Sequence, residues 1–272
     1  MSSLGGSAVY FALAAARYAP VHVNGIAGDD TVEAYRALLA GSGADLSGIA
    51  VSATPTFTWH AVHDFHRWVT AEEWADPGCD PEWSAELSDA SRPAPVLFLG
   101  SMHPRLQQRV LEQSAARLIG ADSMTVFMRE DRAAVGRIAE AADILFLNAE
   151  EVELLAGVDG WRAAARALCG RGRTRAVVVK QGPDGAACVT DGSLLEIPAH
   201  PVEGVIDPTG AGDALAGGFL GHCARQERDG VDAYGQALAE GVRCAAAAIA
   251  TFGTDSLRRL QTTGRPRWPR DV

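Results

Sequence analysis

Apolar positions near the start of the chain alternate between helical and extended patterns. An alanine-rich stretch with interspersed large apolar residues predicts a helix over Ser7–Tyr18, which ends before Pro20. The run Val21–Ala27 predicts a short buried strand. The turn Gly28-Asp29-Asp30 is expected to cap a helix over Thr31–Ala40.

From residue 95 onward, apolar runs of strand length alternate with helical patterns. The predicted strands are Val96–Gly100, Met124–Met128, Ile144–Leu147, Ala176–Lys180, Ala186–Thr190 and Leu194–Ile197, the last two as a hairpin. The predicted helices are Pro104–Ile119, Arg132–Ala141, Glu150–Ala156, Trp161–Cys169, Gly212–Arg225 and Val231–Thr251. Strands of this kind between helices favour an α/β fold with a mainly parallel sheet covered on both faces. The tail Gly264–Val272 is predicted to pack poorly.

The segment from residue 46 to residue 93 has a different pattern. Thr56–Val62 alternates like a strand, within a polar, proline-bearing stretch that carries four tryptophans, Trp59, Trp68, Trp74 and Trp83. This composition favours a lid or flap inserted into a single domain that spans residues 1–272. The tryptophans are suited to packing the lid, to forming a homodimer contact or to stacking on a ligand ring, and the pattern leaves these three roles open.

Composition excludes several classes of partner. The chain is 47% hydrophobic and 21% charged, with a formal net charge of −10 and a pI near 5.2. An acidic surface disfavours binding to nucleic acid or to an anionic membrane, which need basic surfaces. The five cysteines are scattered without a C-x-x-C pair, and neither a membrane-length apolar run nor a signal-peptide pattern is present. These features lead us to expect a cytoplasmic protein with reduced thiols.

The most informative stretch is a predicted strand, turn and helix around residues 205–219. Gly210, Ala211 and Gly212 carry little side chain, so their N–H groups can approach an anion at the positive end of the helix that follows. Asp213 comes next, where a carboxylate can accept the proton of an incoming hydroxyl. The alternative is an ordinary strand–turn–helix junction with an acidic cap.

The string from Asp207 to Asp213 resembles the second signature of the ribokinase-like (PfkB) family, Asp-Thr-x-Gly-Ala-Gly-Asp. The resemblance implies a three-layer α/β/α sandwich with a small β lid. It also implies transfer of the γ-phosphoryl group of ATP to a hydroxyl of a sugar, nucleoside or related polyol. In the family the glycine-rich turn, here Gly210–Gly212, is the anion hole, and the last aspartate, here Asp213, is the catalytic base. Pro208 departs from the pattern, but proline is acceptable before such a turn.

Further segments resemble nucleotide-binding parts of the same family. Asn148-Ala149-Glu150-Glu151 resembles its Asn-x-x-Glu motif, which implies that Asn148 and Glu151 organise Mg²⁺ and the ATP phosphates; a solvated acidic helix start is the alternative. Val177–Lys180 and the turn that contains Gly182 resemble the strand and turn beside the nucleotide. Lys180 is as well explained by a phosphate contact as by a plain charge at a strand end.

Two more positions are implied by the resemblance. Ala245–Gly253 resembles the helix and turn that flank adenine, which makes Gly253 a candidate contact. Asp207 and the backbone of Thr209 lie where some family members bind a monovalent cation, so K⁺ is a candidate ligand. An aspartate that fixes the turn through its own backbone explains Asp207 equally well.

The acceptor side follows the family pattern less closely. Gly5-Gly6-Ser7 resembles the first signature, whose Gly-Gly pair lies against substrate hydroxyls. Tyr10 replaces a frequent asparagine and is expected to fill the core, with stacking on a ligand as the alternative. The four residues before Gly5 contain no counterpart of the family's usual first strand, which ends in an aspartate that grips the acceptor. We expect either that the natural chain starts upstream of Met1 or that the fold has lost this strand. A non-catalytic ligand-binding descendant is therefore the alternative function.

Three histidines in the predicted lid, His60, His63 and His66, recur at three-residue spacing. A strand-like pattern directs alternate residues to opposite faces, which disfavours a shared metal ion. They are read as ordinary surface histidines or as polar groups that face the substrate.

Overall fold

The computed structural model describes residues 2–64, 69–226 and 231–262. The strands in these ranges are β1 (His22–Gly28), β2 (Asp45–Ser52), β3 (Thr58–Asp64), β4 (Val69–Asp76), β5 (Val96–Leu99), β6 (Leu118–Asp122), β7 (Ile144–Asn148), β8 (Ala176–Lys180), β9 (Ala186–Thr190) and β10 (Leu194–Ile197). The helices are α1 (Ser7–Ala15), α2 (Val32–Ala40), α3 (Pro104–Gln113), α4 (Thr125–Ala141), α5 (Ala149–Ala156), α6 (Trp161–Leu168), α7 (Ala211–Gln226), α8 (Val231–Ile249) and α9 (Asp255–Thr262). The predicted tail Gly264–Val272 lies outside the described residues.

The central sheet has six strands in the order β10-β9-β8-β7-β6-β5. Strands β5 to β8 pair in parallel, whereas β9 pairs antiparallel with both β8 and β10. Because successive side chains point to opposite faces, Leu145 and Leu147 of β7 pack toward α3–α6, while Ile144 and Phe146 pack toward α7 and α8. Each fully buried side chain of this kind stabilises the fold by roughly 1.5–3 kcal/mol. The predicted mainly parallel sheet with both faces covered is confirmed.

Two small sheets accompany the central one. Strands β1 and β2 pair in parallel, and β3 and β4 form an antiparallel hairpin with Thr58 opposite Asp76. The hairpin carries exposed large side chains, among them Val62 and Trp74. Farther along the 46–93 segment, Ala85 and Leu87 are buried in the cluster beneath α3–α6. The lid boundary and the single-domain organisation stay predictions.

Helix α1 packs along α7 at close range, and two glycines of α7 provide the space. A Cβ added to Gly217 would lie 2.8 Å from Cβ of Ala14, and one added to Gly221 would lie 3.0 Å from Cα of Ala15. Both distances are too short for an alanine to be accepted without movement of the helices. The contact therefore brings the backbone of α1 against that of α7.

Two neighbouring predictions, for residues 104–119 and 124–128, are wrong. The predicted helix Pro104–Ile119 ends at Gln113, since Ser114 has extended backbone angles, and β6 follows. The alanine-rich sequence before β6 favours helix, but every residue of β6 is buried and the strand pairs with both β5 and β7. Tertiary pairing therefore overrides local propensity. The predicted strand Met124–Met128 lies instead in the first turns of α4. The predicted helix Arg132–Ala141 forms the rest of α4, after a kink at Asp131, whose φ of −147° and ψ of 75° are not helical.

A second correction concerns the turn before α2. Thr31 is the N-cap residue of this helix, and its side chain makes no capping hydrogen bond. The carboxylate of Asp30 instead accepts hydrogen bonds from the backbone N–H and the hydroxyl of Thr56, both at 3.1 Å. Asp30 therefore fixes the entry to the β3–β4 hairpin rather than the helix. The pattern also missed β2, β4 and α9.

Within the described ranges, no helix combines the length and the apolar character needed to cross a bilayer. No disulfide joins any of the described cysteines.

Candidate phosphoryl-transfer site

The predicted anion-hole turn lies at the start of α7. Gly210 has φ +74°, a left-handed conformation that favours glycine, and α7 begins at Ala211. The N–H of Thr209 donates to Oδ1 of the buried Asp207 at 3.0 Å, so this carboxylate fixes the turn through nearby backbone. The corner thus presents small residues at the positive end of a 16-residue helix.

Asp213 lies in the first turn of α7, beside these residues, and its carboxylate Oδ1 accepts a hydrogen bond from the hydroxyl of Ser7. Burial, and then the nearby charge of Asp122, raise the pKa of Asp213 to about 6, although Ser7 and Lys180 act to lower it. The carboxylate is therefore ionised at neutral pH with a proton affinity far above that of an exposed aspartate. A group of this kind is suited to general-base chemistry near neutrality.

Tyr10 connects α1 to the same corner. Its ring is 1% exposed and lies so close to Gly210 that a Cβ added there would overlap ring atoms Cγ, Cδ1 and Cδ2. Burial, followed by the charges of Asp207 and Asp213, raises the pKa of Tyr10 to about 12. The ring occupies the core, as expected, and helps to explain why residue 210 must be glycine.

Asn148 and Glu151 form a capping box at the start of α5. Oδ1 of Asn148 accepts from the N–H of Glu151 at 2.9 Å, and Oε2 of Glu151 accepts from the N–H of Asn148 at 2.8 Å. This capping box was not predicted from the sequence. Glu151 is also 6% exposed, and burial raises its pKa while Lys180 lowers it. A buried carboxylate close to a lysine is more than a solvated helix start.

Lys180 ends β8, and both oxygens of Asp122, at the end of β6, lie 3.0 Å from its Nζ. Asp122 was missed by sequence reasoning because residues 118–122 were divided between a helix and a loop. A correctly placed β6 would have signalled it, since side chains at the carboxyl ends of parallel strands line the sites of α/β folds.

The remaining predicted contacts are not all brought to this corner. Gly182 lies in a short 3-10 turn after β8 with φ +58°, and Gly253 has φ +69° in a turn that lies against Ser3. Gly6, with φ +100°, precedes α1. Burial raises the pKa of Tyr35, a residue that the sequence did not single out, and the nearby backbone of Gly5 acts to lower it.

Two of the three lid histidines each lie beside a tryptophan of the hairpin. The ring of His60 stacks on Trp74 at 3.7 Å, and the ring of His63 lies 6.1 Å from Trp59. His66 lies outside the described residues. Among the described side chains, no group of three or more His, Cys, Asp or Glu residues is arranged to hold a metal ion.

Comparison with known proteins shows the family of the chain. The model of the pfkB family of carbohydrate kinases matches residues 2–259, and the chain belongs to that family. A cytidine kinase from Thermococcus kodakarensis is 34% identical over 137 residues, which are 48% of this chain and 49% of that kinase. A nucleoside kinase from Methanothermobacter thermautotrophicus is 28% identical over 233 residues, 79% of this chain and 70% of that protein. The first of these matches therefore spans only about half of the relative.

The fold is also shared with solved structures. A double-mutant fructokinase from Vibrio cholerae, solved with fructose, ADP and potassium ion, has a TM-score of 0.80 at 21% identity, with 98% of this chain and 92% of that chain covered. The predicted ribokinase-like α/β/α fold is confirmed.

Proposed function

We propose that this chain is an ATP-dependent phosphotransferase that moves the γ-phosphoryl group of ATP to a hydroxyl of a sugar, nucleoside or related polyol. The observation that carries the proposal is the position of Asp213. Its half-buried carboxylate lies beside the Gly210–Gly212 turn and already accepts a hydrogen bond from one hydroxyl, that of Ser7. An acceptor hydroxyl would make the same kind of contact.

In the proposed reaction, the acceptor oxygen forms a bond to the γ-phosphorus while the bond from that phosphorus to the ADP oxygen breaks. The hydroxyl proton passes to Asp213, which is ionised at neutral pH because its pKa is about 6. The N–H groups of Gly210 and Gly212 and the ammonium of Lys180 stabilise the charge on the transferring group, whereas the N–H of Ala211 donates to the carbonyl of Pro208 at 3.3 Å. Positioning and charge stabilisation carry most of the catalysis in phosphoryl transfer.

Magnesium fits the residues that are present. Oε2 of Glu151 is committed to the capping box, which leaves Oε1 of the same buried carboxylate available for a water of the metal shell. Mg²⁺ keeps several waters and needs only one or two carboxylates together with the phosphates. When bound, the ion neutralises phosphate charge. K⁺ near Asp207 is part of the same proposal, although Oδ1 of Asp207 already binds the N–H of Thr209.

A coupled ADP-release screen with sugars, nucleosides and aminocyclitols tests the proposal. Nucleosides come first in the panel, because two relatives are named cytidine kinase and nucleoside kinase. Asp213→Asn is the test variant, and Asp159→Asn, at an exposed turn, is the matched control. We expect acceptor-dependent ADP release that is lost only in Asp213→Asn.

Two results would count against the proposal. Equal rates in Asp213→Asn and the parent would exclude Asp213 as the base. ATP binding without turnover on any acceptor would favour the non-catalytic alternative.

A further inference from the structure

Lys180 is the only lysine in the sequence, and every other permanently charged basic side chain is an arginine. Its side chain is 20% exposed and ends at the carboxyl edge of the sheet. An ammonium is a compact point charge with three donors, whereas a guanidinium is a planar fork. The position therefore combines a cation of small size with a largely buried setting.

Lys180 lies directly against the anion-hole turn. A Cβ added to Gly212 would lie 3.1 Å from Cδ and 3.2 Å from Nζ of Lys180. These distances are shorter than ordinary contacts, so the absence of a side chain at residue 212 lets the ammonium reach the turn. A cation held there is within reach of an anion bound by the N–H groups of the same turn.

Asp122 is built to hold that ammonium. Both of its carboxylate oxygens lie 3.0 Å from Nζ, and the residue is 5% exposed. Its own backbone is fixed by the buried Gln107 of α3, whose side-chain amide donates to the carbonyl of Asp122 at 2.8 Å and to that of Gly100 at 2.9 Å. Oδ1 of Asp122 also accepts from the N–H of Ser123. The carboxylate is thus oriented independently of Lys180.

The surrounding charges keep Lys180 cationic. Burial lowers the pKa of its ammonium, but Asp122 and then Glu151 more than offset that effect, and Asp213 acts in the same direction. Asp122 in turn raises the pKa of Asp213. The base and the cation are therefore linked through a carboxylate that lies outside every motif recognised in the sequence.

We propose that Asp122 is a positioning residue for phosphoryl transfer: it holds the ammonium of Lys180 against Gly212 before the nucleotide binds. Two donors of the ammonium face the carboxylate and a third remains for a phosphate oxygen. The inference rests on the proposed function. It adds that Asp122 acts through the ammonium of Lys180 and that arginine cannot replace this lysine.

The single lysine permits a direct test. Protein grown with lysine that carries ¹⁵N at Nζ gives one ammonium signal, which reports Lys180 alone. In the parent, we expect this signal to stay charged to high pH and to shift when the Mg²⁺ salt of ATP is added. In Asp122→Asn, which keeps the shape of the side chain, we expect deprotonation at lower pH and faster exchange with water.

Kinetics give the second readout. We expect Asp122→Asn to lower kcat by about 10- to 100-fold, the range for a misplaced catalytic group. The groups that face Asp213 are Asp122, Lys180, Ser7 and Tyr10. Asp122→Asn removes a negative charge that raises the pKa of Asp213, so the acidic limb of kcat/KM should also move to lower pH. Simple loss of fold would lower the rate without moving this limb. Asp122→Glu keeps the charge but moves the ammonium, so it should lower kcat with little shift of the limb. Lys180→Arg should lose most of the rate.

Unchanged titration of the ammonium in Asp122→Asn, or parental kcat in that variant, would overturn the inference. So would a fall in kcat with an unaltered ammonium signal, since Asp122 would then act by another route. If the parent shows no ADP release on any acceptor, the proposed function fails. The ammonium titration then still decides whether Asp122 holds Lys180. If Asp122→Asn does not fold, Asp122→Glu decides through kcat and through the exchange of the ammonium with water, and parental values of both would overturn the inference.

Discussion

Replacement of the proposed base by its neutral isostere should make the protein inactive and more stable. Asp213→Asn keeps the side-chain shape, and its amide oxygen can still accept the hydroxyl of Ser7. The pKa of Asp213 rises from 3.8 to about 6 in the folded protein. Each unit of pKa corresponds to about 1.4 kcal/mol, so the ionised carboxylate opposes folding by up to about 3 kcal/mol.

The pH dependence of this effect has a definite sign. Because the folded state binds the proton more tightly, the contribution of Asp213 to stability is fully present below about pH 4. It is lost as the pH rises toward the folded pKa of about 6. The advantage of Asp213→Asn should therefore grow from roughly 0.5 kcal/mol at pH 4 to about 3 kcal/mol at pH 8. Activity should fall by about 10²- to 10⁴-fold, the usual contribution of a general base.

Urea unfolding of the parent, Asp213→Asn and the exposed control Asp159→Asn at pH 4, 5, 6.5 and 8 measures the free energy of unfolding directly. ADP release by the same samples gives activity. A stability gain that does not change with pH, or a loss of stability at pH 8, would refute the inference that folding raises the pKa of Asp213.

Other perturbations test neighbouring parts of the site. Gly210→Ala should lower the free energy of unfolding by about 2–5 kcal/mol, since it combines a left-handed backbone with overlap on the buried ring of Tyr10; denaturation within about 0.5 kcal/mol of the parent would contradict it. Asn148→Ala should lose the capping box, lower stability by about 1 kcal/mol and raise the Mg²⁺ concentration needed for half-maximal rate. Ser7→Ala should move the acidic limb of kcat/KM to higher pH, because the hydroxyl lowers the pKa of Asp213. If the exposed hairpin forms a homodimer, Trp74→Ala should shift sedimentation toward monomer, and an unchanged sedimentation coefficient would exclude the hairpin as the contact.

The sequence predicted those parts of the site whose structure depends only on residues that are neighbours along the chain. The glycine turn with Asp213 behind it is contained within a few residues, and so is the Asn148–Glu151 pair, so short patterns identify each of them. Asp122 could not be found in that way. The end of α3 and the start of β6 both contain good helix formers, and only pairing with strands on either side makes residues 118–122 extended.

Long-range partners were also outside the reach of pattern reasoning. Ser7 and Asp213 are 206 positions apart, and their hydrogen bond depends on the packing of two helices rather than on either local motif. The role of Asp30 as a partner of Thr56 was missed because a carboxylate before a helix is usually a cap.

The close contact of α1 with α7 limits how the protein can close around its substrates. Ser7 begins α1 and Asp213 lies in the first turn of α7, so the hydroxyl of Ser7 and the carboxylate should move together. Sliding these helices would drive Cβ of Ala14 and the backbone of Ala15 into Gly217 and Gly221. Any closing movement should therefore be made by the β3–β4 hairpin. Paired spin labels on α1 and α7 should keep a constant separation when nucleotide and acceptor bind, while a label on the hairpin should approach them.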